Sequence, residues 1–259
     1  MRDILEDANR HRDDGLGRAG AGLRPELPKR FYREAGIAAI ADGFTVTLDG
    51  RPTRTPGQVP VVVPAEGLAR LMAEEWALQG ERIDAETMPT VRLVNSALES
   101  GGESLAALRA EVAKYMGNDL LFYRAESPRE LVAAEEAAWD AALVKLARHF
   151  GVAFRPTIGI LHQDQPPATL ARLVHALEHE NLLAITALVS ITGLTGSGLL
   201  ALGLRHALFT PDEVWAAAHV DEDYNVRLWG EVEEAAERRM KRRKEFDAAV
   251  RVLALTEPG

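Results

Sequence analysis

The chain of 259 residues contains no cysteine. That excludes disulfides, thiolate nucleophiles and Cys-ligated zinc, and it suits a reducing compartment. Positive charge is also in short supply: 30 Lys and Arg stand against 39 Asp and Glu, a formal net charge of -9. Nucleic acid and anionic membranes favour an excess of Lys and Arg, so neither is expected as the main partner. There is no G-x-S-x-G elbow, no Walker motif and no dinucleotide fingerprint. Internal repeats and low-complexity tracts are missing too. The N-terminus lacks an apolar signal core, and Asp3, Glu6, Asp7, Asp13 and Asp14 are wrong for an acid-poor organelle transit peptide.

What is present fits a globular protein of one large or two smaller domains, with 47% hydrophobic and 27% charged residues. Residues 1 to 28 mix Arg, Asp and Gly without apolar periodicity and read as a flexible arm. Strand and turn signals begin at Lys29. Phe44, Val46 and Leu48 alternate with Thr45 and Thr47, and Asp49-Gly50 supplies the positive-φ pair of a tight hairpin. Val61 to Val63 follows as a short strand between prolines, at an edge or terminus because proline removes ladder donors.

Helical spacing then takes over. Leu68, Leu71, Met72 and Trp76 share one face, with Trp76 as a core anchor and Gly80 placed to end the helix. Met88 to Leu98 and Leu105 to Tyr115 give two more, the latter stopping at Gly117-Asn118. Asp119 to Ala125 reads as a buried strand. Ser127-Pro128-Arg129-Glu130 has the form of a capping box and marks the expected boundary between a domain at 29–126 and a domain at 127–259. Val132, Trp139, Leu143, Leu146 and Phe150 line the next helix, closed by Gly151. Pro166-Pro167 opens one whose buried side is Leu170, Leu173, Val174 and Leu177, and Thr210-Pro211-Asp212-Glu213 forms a second capping box. The fold class is therefore α+β: a strand-and-helix domain followed by an all-helical bundle.

Two stretches carry sharper alternatives. Leu182 to Leu204 is uncharged for long enough to span a bilayer. Its central Gly193, Gly196, Ser197 and Gly198 instead predict two buried helices meeting at a close corner, and they follow a helix where a phosphate loop would follow a strand. His175, Glu178 and His179 spell H-x-x-E-H, the inverted zinc-protease motif. The apolar residues of that helix put the three on its wet side, and the available further acid, Glu257, lies in a short tail, so a solvated face is expected and no metal.

Val220 to Glu245 reads as one long helix with a stripe of Val226, Trp229, Val232, Ala236 and Met240. Asp221, Glu222 and Asp223 suit its N-terminus, and Arg238, Arg239, Lys241, Arg242 and Arg243 its far end. Glu234 with Arg238, and Glu237 with Lys241, form i,i+4 pairs in the favourable order. By spacing alone the basic half is a solvated, ion-paired surface and Trp229 belongs to the core.

Read in order, several segments resemble one family. They are RFY at Arg30 to Tyr32, GFTVTLDGRPTRTP from Gly43, AEEWALQGERIDAETMP from Ala73, EVAKYMGNDLLFYRAESP from Glu111, AAWDAAL from Ala137 and VDEDYNVRLWGEVEEA from Val220. The set is similar to the F1-ATPase assembly chaperones that hold the unassembled α subunit of ATP synthase. Ala141 stands where many members have proline, and the GLTGSG corner matches only approximately. The resemblance implies an α+β part and an orthogonal helical part, without enzymatic activity or nucleotide hydrolysis; no cofactor and a monomer when free are expected, and the lack of an import segment favours a bacterial cytoplasm over the mitochondrial matrix of a processed form. It implies that the partner is the free α subunit of F1 and that its β-facing apolar surface is what becomes covered, which would guard an unpaired obligate interface from aggregation. The client surface falls on Asp221, Glu222, Asp223, Trp229, Glu231 and Glu234, with aromatic area supplying affinity and acids specificity. A zinc hydrolase built on His175 to His179 and a general helical interaction module are the competing readings.

Overall fold

The structure, a computed structural model, describes residues 26–256. Most of the arm expected at 1–28 therefore lies outside the described residues, as does Glu257. Its last three residues are pinned: Arg82 is ion-paired with Glu26, donates to the Leu27 carbonyl at 2.6 Å, and Ile83 N–H meets the Pro28 carbonyl at 2.8 Å.

Strands β1 (Ala35–Ile40), β2 (Gly43–Leu48) and β3 (Arg51–Pro52) form an antiparallel sheet in that order. The β2–β3 hairpin turns as its sequence demands, with Asp49 at φ 48° and Gly50 at φ 76°. Glycine adopts left-handed backbone freely and aspartate tolerates it better than most residues, so the turn carries little strain. Val61 to Val63 makes no strand of its own; it reaches the sheet through isolated bridges, Phe44 with Val63 and Arg54 with Pro60. Prolines at 60 and 64 remove the donors a ladder would need.

Helix α1 (Glu66–Ala77) lies on the sheet, and its Trp76 is half-buried, edge-on to Tyr32 at 5.6 Å. Helices α2 (Pro89–Ser100) and α3 (Leu105–Gly117) follow. The buried strand expected at 119–125 is mostly absent. The Asp119 side chain accepts from Leu121 N–H, which starts a short 3-10 turn at Leu120–Phe122, and only Tyr123–Arg124 (β4) is extended. The capping box expected at Ser127 does not form either: α4 (Arg129–Glu135) has Pro128 at its N-cap and no side-chain cap, leaving Ser127 one residue too early.

A π-helical stretch, Glu136–Asp140, joins α4 to α5 (Ala141–Phe150), which ends on left-handed Gly151. Strand β5 (Thr157–Ile158) pairs in parallel with β4. Helix α6 (Pro167–His175) buries Leu173, with Leu177 just beyond its end, whereas Val174 is 38% exposed, so the expected apolar face is narrower than its spacing implied.

Helix α7 (Leu182–Thr195) is the hub. It is apolar on all sides, with Ile185, Ala187, Leu188 and Ile191 fully buried, and it packs against α2, α3, α8 (Gly198–Arg205) and the last helix. No helix among the described residues is long and apolar enough to cross a membrane. The break between α7 and α8 falls at left-handed Gly196, with Ser197 capping α8. Gly198 is required for packing: a Cβ there would lie 2.8 Å from the Val112 carbonyl of α3.

The second capping box is present, Thr210 and Glu213 bonding reciprocally at the start of α9 (Pro211–Ala218). The single long helix expected from Val220 to Glu245 is in fact two, α10 (Val220–Trp229) and α11 (Glu233–Ala254). Gly230 separates them at φ 82°, ψ 169°, a conformation open essentially to glycine alone. Helix α11 is buried through Phe246, Ala249, Val252 and Leu253 against α7, not through the stripe the spacing suggested. The fold is thus mixed α and β, with strands near the N-terminus and helices after.

Candidate functional site

The α10–α11 corner is assembled from below. At the end of α9, His219 is buried, its ring stacked on Trp215 at 4.0 Å. Its Nδ1–H donates to the Trp215 carbonyl at 2.7 Å, which fixes the neutral tautomer, and burial pushes its pKa down. Nε2 is enclosed without a hydrogen bond, 3.8 Å from Glu222. This ring is the pedestal on which α10 begins.

Asp221, Glu222 and Asp223 occupy the first turn of α10, where the helix dipole favours carboxylates. All three are engaged, Asp221 with a carboxyl of α4 and the other two with arginines of α11. Arg239 of α11 meets Asp223 at 2.6 Å, and Arg242 meets Glu222 at 3.3 Å while donating to the Leu194 carbonyl at 2.7 Å. Arg243 reaches back to Asp212 of α9 at 2.6 Å. The basic run of α11 is therefore more than a solvated face: it clasps α9 and α10. The pair expected within the helix, Glu234 with Arg238, is present at 3.1 Å.

Asp221 is exposed and points to a carboxylate that the sequence did not single out. Glu135 of α4 is buried, accepts from Ala125 N–H at 2.7 Å, and has its pKa raised by burial, with the Asp221 carboxyl adding to the rise. Beside it Arg124, also buried, pairs with Asp140 at 2.5 Å and lies over Trp139. Glu231 is exposed just past Gly230.

The apolar stripe expected to be buried is on the surface. Trp229 is 83% exposed, Val226, Leu228 and Val232 are exposed with it near the same corner, and Met240 is exposed further along α11. A groove of about 610 Å³ runs between the α4–α5 helix and α9–α10. Ala134, Ala138, Ala141 and Ala217 line it, with Tyr224 and Arg227, whose guanidinium lies 5.2 Å from the tyrosine ring. Small side chains leave both backbones open to close approach. An acidic rim, exposed large apolar groups and a shallow alanine-lined groove can bind a protein surface.

The H-x-x-E-H residues do not assemble a metal centre. Helix α6 stops at His175 and the following residues make tight turns, which leave the His175 and His179 rings edge-on, 6.3 Å apart. His175 Nδ1 instead meets Glu178 at 2.8 Å, in the open. Among the described residues no group of three His, Cys, Asp or Glu is placed to hold a metal.

Comparisons with known proteins agree with this architecture. Residues 29–147 match the family model described as ATP12 chaperone protein. A candidate chaperone from Agrobacterium tumefaciens superposes with a TM-score of 0.85 at 38% identity, over 99% of this chain and 97% of that one. Atp12 from Paracoccus denitrificans superposes with a TM-score of 0.81 at 33% identity, over 89% of this chain and 99% of its own, and a single-residue mutant of it matches equally. Identity at this level across nearly the whole length shows more than a shared fold: the chain belongs to the ATP12 chaperone family.

Proposed function

We propose that this chaperone holds the unassembled α subunit of the F1 part of ATP synthase and covers the surface that later packs against the β subunit, without catalysis. The observation that carries the reading is the exposed corner of Leu228, Trp229 and Val232, large apolar groups left in water beside exposed acids. Isolated surface leucines are ordinary, whereas a tryptophan at 83% exposure flanked by aliphatic residues is a surface suited to a partner. Asp221 and Glu231 select basic neighbours on the client. Glu222, Asp223 and Glu234 act mainly through their ion pairs, shaping the corner, and so contribute to binding less directly than Asp221. Release follows when the β subunit competes for the same client surface, and no nucleotide chemistry is needed. The protein works in the bacterial cytoplasm and is a monomer when free of its client.

Co-expression with an isolated, aggregation-prone α subunit tests this. The wild-type chain keeps the subunit soluble. Asp221→Lys, at an exposed side chain, loses that effect while circular dichroism shows the helices retained. Unchanged rescue by Asp221→Lys refutes the site, and an α subunit that aggregates in the presence of wild-type chaperone refutes the function.

A further inference from the structure

The two edges of the N-terminal sheet are guarded unequally. On the β3 side Pro52, Pro60 and Pro64 punctuate the chain, the usual way an edge is made unable to recruit another strand. The β1 side has no such guard. Its sequence, AGIAAI, holds no charge and no proline over six residues.

The register shows which backbone groups are free. Asp49 N–H donates to the Glu34 carbonyl at 2.9 Å, and Gly36, Ala38 and Ile40 pair with Thr47, Thr45 and Gly43 of β2. In an antiparallel ladder alternate residues face opposite edges, so the N–H and C=O groups of Ala35, Ile37 and Ala39 point away from β2. Nothing among the described residues pairs with them. Beside this edge, under α1, lies a second groove of about 250 Å³ lined by Ala35, Ile37, Arg70, Ala73, Glu74 and Ala77. Arg70 is taken up by Glu66 at 2.5 Å, whereas Glu74 forms no ion pair with any described residue, so the rim presents one uncompensated negative charge.

We infer that β1 is a docking edge onto which an extended segment of the client adds as a fourth strand, with an apolar side chain in the α1 groove and a Lys or Arg facing Glu74. Backbone bonds to residues 35, 37 and 39 supply affinity that is blind to sequence, and the groove and Glu74 supply the preference. As to the client's identity the inference rests on the proposed function; as to the edge it stands on the free backbone groups. A chaperone that grips both an apolar corner and a strand holds its client at two places on different elements.

The test uses the full chain, with and without isolated α subunit, in amide hydrogen exchange. In the free protein the segment 34–40 exchanges its outward amides quickly. In the complex it takes up about three deuterons fewer, one for each outward N–H that becomes paired. Ala39→Pro removes an outward donor without touching a bond to β2, and it weakens capture roughly tenfold, as loss of a backbone bond and a steric block at the edge require. Ala39→Lys, an exposed position, acts in the same direction if the proline variant is poorly folded. Capture of α subunit with unchanged exchange at 34–40 overturns the docking edge and leaves the proposed function standing. Failure of the wild-type chain to capture α subunit overturns both. Protection of these amides in the chaperone alone means that a second copy or residues 1–25 occupy the edge, and it overturns the inference as well.

Discussion

Asp119 offers a quantitative test of how the helical core is tied together. Its carboxylate has no exposure and accepts three bonds: from Ser197 Oγ–H at 2.6 Å, Leu199 N–H at 2.9 Å and Leu121 N–H at 3.2 Å. These join the turn after α3 to the start of α8. The donors favour the ionised form, but burial outweighs them and raises the pKa to about 6. A folded-state value above the unfolded 3.8 means the native state binds the proton more readily between about pH 4 and pH 6. Stability contributed by the protonated group is therefore complete below that window and is lost as pH rises through it. The shift corresponds to a swing of about 3 kcal/mol. Asp119→Asn cannot titrate, and its amide places a donor against Leu199 N–H, a fixed penalty of about 1 to 3 kcal/mol. Urea unfolding of both proteins at pH 4, 5, 6 and 7 isolates the group, because all other titrations cancel in the difference. Wild type should lose about 2.4 kcal/mol relative to the variant from pH 4 to pH 7, the rest of the swing lying below pH 4. A difference that is flat with pH would refute the reasoning, and one that grows in favour of wild type would show that the three donors outweigh burial.

Other expectations follow from particular contacts. Gly230→Ala forces a side chain into a glycine-only conformation at the α10–α11 break and should cost about 1 to 3 kcal/mol in urea unfolding. Gly198→Ala drives a Cβ to 2.8 Å from the Val112 carbonyl, overpacking that should lower stability by about 1 to 3 kcal/mol with α-helical content retained in circular dichroism. Trp229→Ala removes an exposed ring and should leave stability within about 0.5 kcal/mol while reducing α-subunit capture. Arg239→Ala breaks a partly exposed ion pair and should cost at most about 1 kcal/mol, with the loss shrinking as salt is raised.

The sequence carried most of the fold because local signals and burial agreed there: the Asp49-Gly50 turn, the Thr210 to Glu213 capping box and the paired helices around Gly196 were legible from spacing and turn chemistry alone. It failed where a side chain competed with the backbone or a glycine overrode periodicity. Asp119 drew its own backbone into a turn that apolar residues 120–122 had disguised as a strand. Gly230 cut a helix whose charges and apolar steps ran through it without a break. The candidate site shows the same division. Asp221, Glu222, Asp223 and Trp229 stood out as residue types, but periodicity assigned Trp229 to the core because it could not register that the chain turns one residue later. Glu135, Arg239 and Arg242 lie far from the acidic turn in sequence or outside its helix, and only packing brings them to it. The open edge of β1 was illegible for a different reason, since AGIAAI has neither alternation nor helical spacing and becomes a strand only by pairing with β2.

The claim at the centre is that this chaperone and the β subunit occupy the same surface of the α subunit. Titrating purified β subunit into the chaperone–α complex, with fluorescence of Trp229 or of a label beside it as the signal, tests that directly. The account predicts displacement of the chaperone in step with formation of the α–β pair, and a stable ternary complex of all three would contradict it.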